Sequence, residues 1–134
     1  DVETNSIDKF SMSTTSAPLR AGYNAAVAKI LGQDMVKIEK RNLELSSILK
    51  QALSNVKGVN VLSPLDGVEC SALTTFKMDG VDSNKATSKL WKNDKIVVRA
   101  IESQKAIRVS TAFFNTEDEI QKLVDAIKQL SKKG

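Results

Sequence analysis

The stretch AIRVSTAFFNTEDEI, Ala106 to Ile120, switches its apolar periodicity within a few residues, and this switch constrains the fold more than any other feature of the chain. Ile107, Val109, Thr111 and Phe113 alternate with Arg108, Ser110 and Ala112, so a strand places the first set on one face and the second on the other. The apolar set should meet helices, which leaves Arg108 on the opposite face between small neighbours. Thr116 and Glu119 then have the S/T-x-x-E spacing of a capping box, in which hydroxyl and carboxylate satisfy each other's backbone N–H groups. The acids at 117 to 119 also suit the positive end of a helix. Ile120, Leu123, Val124, Ile127 and Leu130 continue as one apolar stripe. A half-covered strand that runs straight into an amphipathic helix calls for a sheet packed on one side by helices.

The rest of the chain fits that plan. PLRAGYNAAVAKILG, from Pro18 to Gly32, predicts a helix with proline in its first turn and glycine after its end. A second helix, about 22 residues long, starts near Gln33, with Ile38, Leu45, Leu49, Ala52 and Val56 on one face and Gly58 at its end. VNVLSP is a short strand stopped by Pro64. ECSALTTFKM predicts the next strand, with Cys70, Ala72, Thr74 and Phe76 on one side. GVDSNKATSKLWKND reads as a loop and a short helix capped by Ser83 or Asn84, with Trp91 packing it on the sheet. KIVVRAI is a strand, ESQK a tight turn, and AIRVSTAFF the last strand. The expected fold class is α+β, with a small, mostly antiparallel sheet covered on one face by helices, one of them long. With 134 residues, 41% hydrophobic and 27% charged, a single domain of ordinary globular composition is expected. It would comprise an irregular start over 1–17, an α+β body over 18–131 and a basic tail over 132–134.

Composition removes several chemistries. The sequence has no histidine, so Ser-His-Asp, Cys-His and His-ligated zinc sites are excluded. One cysteine, Cys70, cannot form an internal disulfide or a four-thiolate metal site. No metal site is expected, and Cys70 reads as a packed thiol. The formal net charge of +4 is spread among acids, with only KQLSKKG clustered, so no nucleic-acid partner is expected. No apolar run approaches the roughly 20 residues of a membrane span. The N-terminus lacks the pattern of a signal peptide, and the expected location is the cytoplasm. Arg108 keeps two readings at this point. An exposed strand arginine needs no ligand, and a guanidinium also suits two parallel hydrogen bonds to a carboxylate. Arg99 likewise reads as a strand-end arginine or as a residue flanking an active site.

IRVSTAFFNTEDEIQKLVDAIKQL closely resembles the C-terminal end of class V aminotransferase-fold enzymes, the pyridoxal-phosphate (PLP) proteins that include cysteine desulfurases, selenocysteine lyases and isopenicillin-N-epimerase-like enzymes. Arg108, Ser110, Phe114, Asn115, Thr116, Glu117 and Glu119 all match the family pattern. VKIEKRNLELSSILKQALSNVKGVNVLSP resembles the family's long helix and the strand after it, and ECSALTTFKMDG its next strand. The order of elements agrees from about Phe10 to Leu130.

The resemblance implies that Arg108 binds the α-carboxylate of an amino-acid substrate. It implies that Thr14, in FSMSTTSAP, reaches the cofactor phosphate of a neighbouring subunit. Phe10 fits that motif, whereas Ser11 and Ser13 stand where the family has glutamate and glycine. The family's PLP lysine follows a histidine in a larger N-terminal domain, and this sequence has no histidine. The chain is therefore expected to be a substrate-binding C-terminal domain, without catalytic residues and without PLP bound by itself, whose complete enzyme is a PLP-dependent homodimer. RAIESQKAIR lacks the cysteine and the length of a desulfurase loop, which favours the epimerase-like branch. The alternative is a stand-alone binding or protein-interaction module on the same scaffold.

Overall fold

The computed structural model describes residues 16–132. Thr14 and the FSMST segment lie outside the described residues. By its contacts the chain divides after Met35 into two compact units.

The first unit holds helix α1, Ala17–Leu31. Its alanines favour a helix and Pro18 fits the first turn. Gly32 caps it in an ordinary right-handed conformation, so the glycine serves as a stop without using its special backbone freedom. α1 buries none of its residues.

The second unit carries the sheet. Helix α2 spans Met35–Ser54, 20 residues, close to the expected length. Gly58 follows with φ +78°, a conformation that costs a side-chain-bearing residue about 1 kcal/mol or more. Its carbonyl accepts from Asp79 N–H at 2.8 Å, which pins the start of β1 (Val59–Val61) to the end of β2 (Leu73–Met78). Helix α3 (Ser83–Lys89) follows, then a wide helical turn over Leu90–Asp94. Strands β3 (Arg99–Ile101) and β4 (Ala106–Ser110) precede helix α4 (Glu117–Ser131). The sheet has the order β1-β2-β4-β3, and every neighbouring pair is antiparallel.

The core lies on one face of this sheet. Phe76 pairs with Val61 and with Ile107, and Thr74 pairs with Val109. Against this face pack Leu45, Leu49 and Leu53 of α2, Ala86 of α3, Leu90, and Ile120, Leu123, Val124 and Ile127 of α4. The expected α+β architecture is present, with α4 burying Ile120, Leu123, Val124 and Ile127 of the stripe read from its sequence and Leu130 partly covered. Two buried hydroxyls sit in this apolar setting. Ser46 Oγ donates to Ser71 O at 2.7 Å and lies 3.4 Å from Thr74 Oγ1, so both are satisfied within the protein.

Several boundaries differ from the sequence pattern. β2 begins at Leu73, so Cys70 belongs to the preceding loop, where its amide bonds Gly67 O and its thiol donates to Pro64 O at 3.4 Å. The cap of α3 is Asp82, whose carboxylate accepts from Lys85 N–H, and not Ser83 or Asn84. Trp91 is 54% exposed and lies beneath the Lys95 ammonium, while its neighbour Leu90 takes the buried position. Lys95 adopts a left-handed φ of 60°, so the chain joins β4 only at Arg99 and β3 is shorter than KIVVRAI. β4 ends at Ser110. Phe113 leaves the alternation for a turn, where it meets Phe114 edge-on at 5.4 Å. No helix among the described residues is long and apolar enough to cross a membrane.

Candidate substrate-carboxylate site

Arg108 sits in the middle of β4, half-buried, on the face opposite the core. Its position follows from alternation, because Ile107 and Val109 on either side are both buried. Across the sheet it is opposed by Thr75 on β2 and by Arg99 on β3. Directly opposed residues of antiparallel strands project to the same face. The polar face therefore carries a row running Thr75, Arg108, Arg99.

The electrostatics of this row are uncompensated. Among the described residues, no side-chain hydrogen bond or ion pair reaches either guanidinium. Ion pairs join Arg41 to Glu44 and Glu117, and Lys128 to Asp125. Glu102, the acid on the β3–β4 turn, accepts instead from Asn84 Nδ2 at 3.2 Å. Arg108 Nε is sealed from solvent and has no partner. A buried donor left unmade costs about 1–3 kcal/mol, so this guanidinium is poised for an acceptor that the described residues do not supply. A planar, two-oxygen anion matches its fork.

The motif after Arg108 fixes the end of the strand. Asn115 Oδ1 accepts from Ala112 N–H at 2.9 Å, and Asn115 Nδ2 donates to Glu119 Oε2 at 3.0 Å. Thr116 N–H also donates to Glu119 Oε2, and Thr116 Oγ1 accepts from Glu119 N–H at 3.2 Å. The capping box is complete, and Asn115 extends it back to the strand. The Glu119 carboxyl is held below the usual carboxylate range by these bonds, first from Asn115 and then from the Thr116 amide. Glu117 is lowered to about 2, mainly by Arg41 Nη1 at 2.7 Å, with a backbone hydrogen bond adding to it. The same contact raises Arg41 and ties α2 to the first turn of α4. Asn115, Thr116 and Glu119 are thus positioning groups for β4.

Beyond Ser110 the sheet opens. Residues 95–98 have not yet joined β4, and a cavity of about 250 Å³ lies between Ile96, Val98, Ser110, Thr111, Asn115 and Lys122, among others. Among the described residues, no cluster of three or more His, Cys, Asp or Glu side chains could hold a metal. Cys70 stands in its own loop, on a different connection from the β3–β4 turn. That turn is a short 3-10 segment, Glu102–Gln104, closed by Lys105 at φ 51°. The pairing of Arg99 with Arg108 was within reach of the sequence. Counting outward from a four-residue turn pairs Ile101 with Ala106 and, two steps on, Arg99 with Arg108.

Comparison with known proteins agrees with this fold. The family model described as Aminotransferase class-V matches residues 4–123. The isopenicillin N epimerase of Amycolatopsis lactamdurans is 31% identical over 99 residues, which cover 72% of this chain and 25% of the epimerase. The chain thus spans about a quarter of that relative's length. Among solved structures, the cysteine desulfurase from Thermococcus onnurineus NA1 superposes with a TM-score of 0.84 at 18% identity, covering 98% of this chain and 35% of the desulfurase. The cystine C-S lyase C-DES superposes with a TM-score of 0.78 at 21% identity, over 90% of this chain and 31% of the lyase. A variant of that lyase has glycine covalently linked to its PLP cofactor. With the family model spanning most of the sequence and a relative above 30% identity, this chain belongs to the aminotransferase class-V family.

Proposed function

We propose that this chain is the substrate-carboxylate-binding C-terminal part of a PLP-dependent enzyme that acts on an amino acid, with Arg108 binding the α-carboxylate. The observation that carries this reading is the half-buried Arg108 guanidinium, whose sealed Nε has no partner among the described residues. Such a group fits a carboxylate, and it does not fit the cofactor's own Schiff base, which needs a lysine nucleophile. PLP, when bound, withdraws electrons from the substrate's α-carbon.

The part played by this chain is positioning. Arg108 fixes two oxygens of the substrate in one plane, which leaves the α-carbon substituents in a defined orientation. Thr75 lines the row on one side, and the α4 cap prevents β4 from shifting in register. Thr14 is assigned to the cofactor phosphate on the strength of its match to the family motif. The β3–β4 turn carries no cysteine, so the reaction assigned is not a persulfide-forming desulfuration and belongs to the epimerase-like side of the family. The complete enzyme is proposed to be a cytoplasmic homodimer.

In the full-length enzyme, Arg108→Ala should lower kcat/KM for amino-acid substrates by about 100-fold or more, since a charge-assisted pair is worth about 1.5–3 kcal/mol and its loss also disturbs orientation. Arg108→Lys should recover only part of this, because an ammonium cannot make the planar paired contact. Unchanged kinetics in Arg108→Ala would reject the assignment.

A further inference from the structure

Arg99 is the feature that a single-carboxylate site leaves without a role. Its Cα directly opposes that of Arg108, so two cations share one face on neighbouring strands. Like charges so placed repel, and neither finds an acid among the described residues. Glu102, the one carboxylate in the connecting turn, is held by Asn84 instead. The two arginines also differ in depth: Arg108 is half-buried in the strand, whereas Arg99 is exposed at the start of β3. Neighbouring strands lie about 4.8 Å apart, so the two flexible arginine side chains start close enough for their guanidinium groups to reach the two ends of one short dicarboxylate.

We propose that Arg99 is a second anion-binding residue of the Arg108 site, and that the substrate is an amino acid with an acidic side chain. This rests on the Arg108 reading above. The deeper guanidinium takes the α-carboxylate at the reacting end, and the outer one takes the side-chain anion. The neutralised pair then removes the repulsion that the empty row carries, so binding is favoured by both guanidinium contacts at once.

The test is an NMR titration of the ¹⁵N-labelled 134-residue chain with acetate, succinate and glutarate at constant ionic strength, following the arginine Nε–H resonances. Succinate or glutarate should bind about tenfold or more tightly than acetate, the gain expected for one further charge-assisted contact. In Arg99→Gln that advantage should vanish while acetate still shifts the Arg108 Nε–H signal, and Arg99→Lys should keep part of it. Dicarboxylates binding no better than acetate overturns the proposal, as does an advantage that survives in Arg99→Gln. Equal losses of acetate and dicarboxylate binding in Arg99→Gln also overturn it, because both arginines would then share one carboxylate. If acetate leaves Arg108 unmoved, the carboxylate assignment itself fails. In the full-length enzyme the same variant should lower kcat/KM for glutamate relative to alanine by about tenfold. An unchanged ratio overturns the dianionic substrate without touching Arg108's own role.

Discussion

The Arg99–Arg108 row makes a stability prediction that does not depend on any ligand. Two unit charges about 6 Å apart repel by about 0.7 kcal/mol in bulk water, and by several-fold more where water is partly excluded. Arg99 is exposed and Arg108 half-buried, so the lower figure is the better guide. Arg99→Gln keeps a polar side chain and removes the repulsion, and should stabilise the chain by about 0.5–1 kcal/mol at low salt. Arg99→Glu replaces repulsion by a cross-strand ion pair and should gain about twice as much, a rise of roughly 3–6 °C in Tm for a domain of this size. Both gains should shrink by more than half at 0.5 M NaCl, where the screening length is about 4 Å. Urea denaturation at 20 mM and 0.5 M NaCl reads these differences. Lys57→Gln, at an exposed lysine in the α2–β1 turn, controls for net charge alone. Arg99→Glu less stable than the parent at low salt, or a gain indifferent to salt, contradicts a repulsive Arg99–Arg108 pair. The gain should come with a loss of anion binding, since the repulsion is the binding site in its empty form.

Other consequences are more local. Thr116→Ala removes the acceptor for Glu119 N–H and should cost about 0.5–2 kcal/mol in urea denaturation, while Thr116→Ser should be nearly neutral. Glu117 and Glu119 have folded-state pKa values below their unfolded ones, so the stability they contribute is present above about pH 4.3 and is lost as pH falls, for Glu117 toward about 2. Glu117→Gln should flatten that acid slope in a pH series of melting curves; an unaltered slope contradicts the Arg41 contact. Leu49→Ala, at a fully buried α2 position facing the sheet, should cost about 2–5 kcal/mol, and a value under 1 would mean that α2 does not seal this core.

Where the governing chemistry is local, the sequence was a sufficient guide. The capping box of α4 needs only Thr116 and Glu119 three residues apart, and its stripe needs only helical spacing; both are present. The placement of Arg108 off the core face followed from alternation in the same way. Features set by tertiary contacts were not legible. Ser46 and Lys50 are buried on α2, where the apolar pattern marks only Ile38, Leu45, Leu49, Ala52 and Val56; Ser46 finds Ser71 and Thr74 across the core. Trp91 and Leu90 exchange roles because the wide turn at Leu90–Asp94 rotates the helix end, which no propensity announces. β3 is short because Lys95 bends left-handed before the strand can begin. The opposition of Arg99 and Arg108 lies between these cases. Alternation alone does not reveal it, but turn length and alternation together do.

The most direct measurement is a crystal structure of the full-length enzyme with an unreactive amino-acid analogue bound. The expected result is the analogue's α-carboxylate against the Arg108 guanidinium, with paired N–H···O contacts of about 2.8 Å. A carboxylate bound elsewhere, with no oxygen against the Arg108 guanidinium, would contradict the assignment.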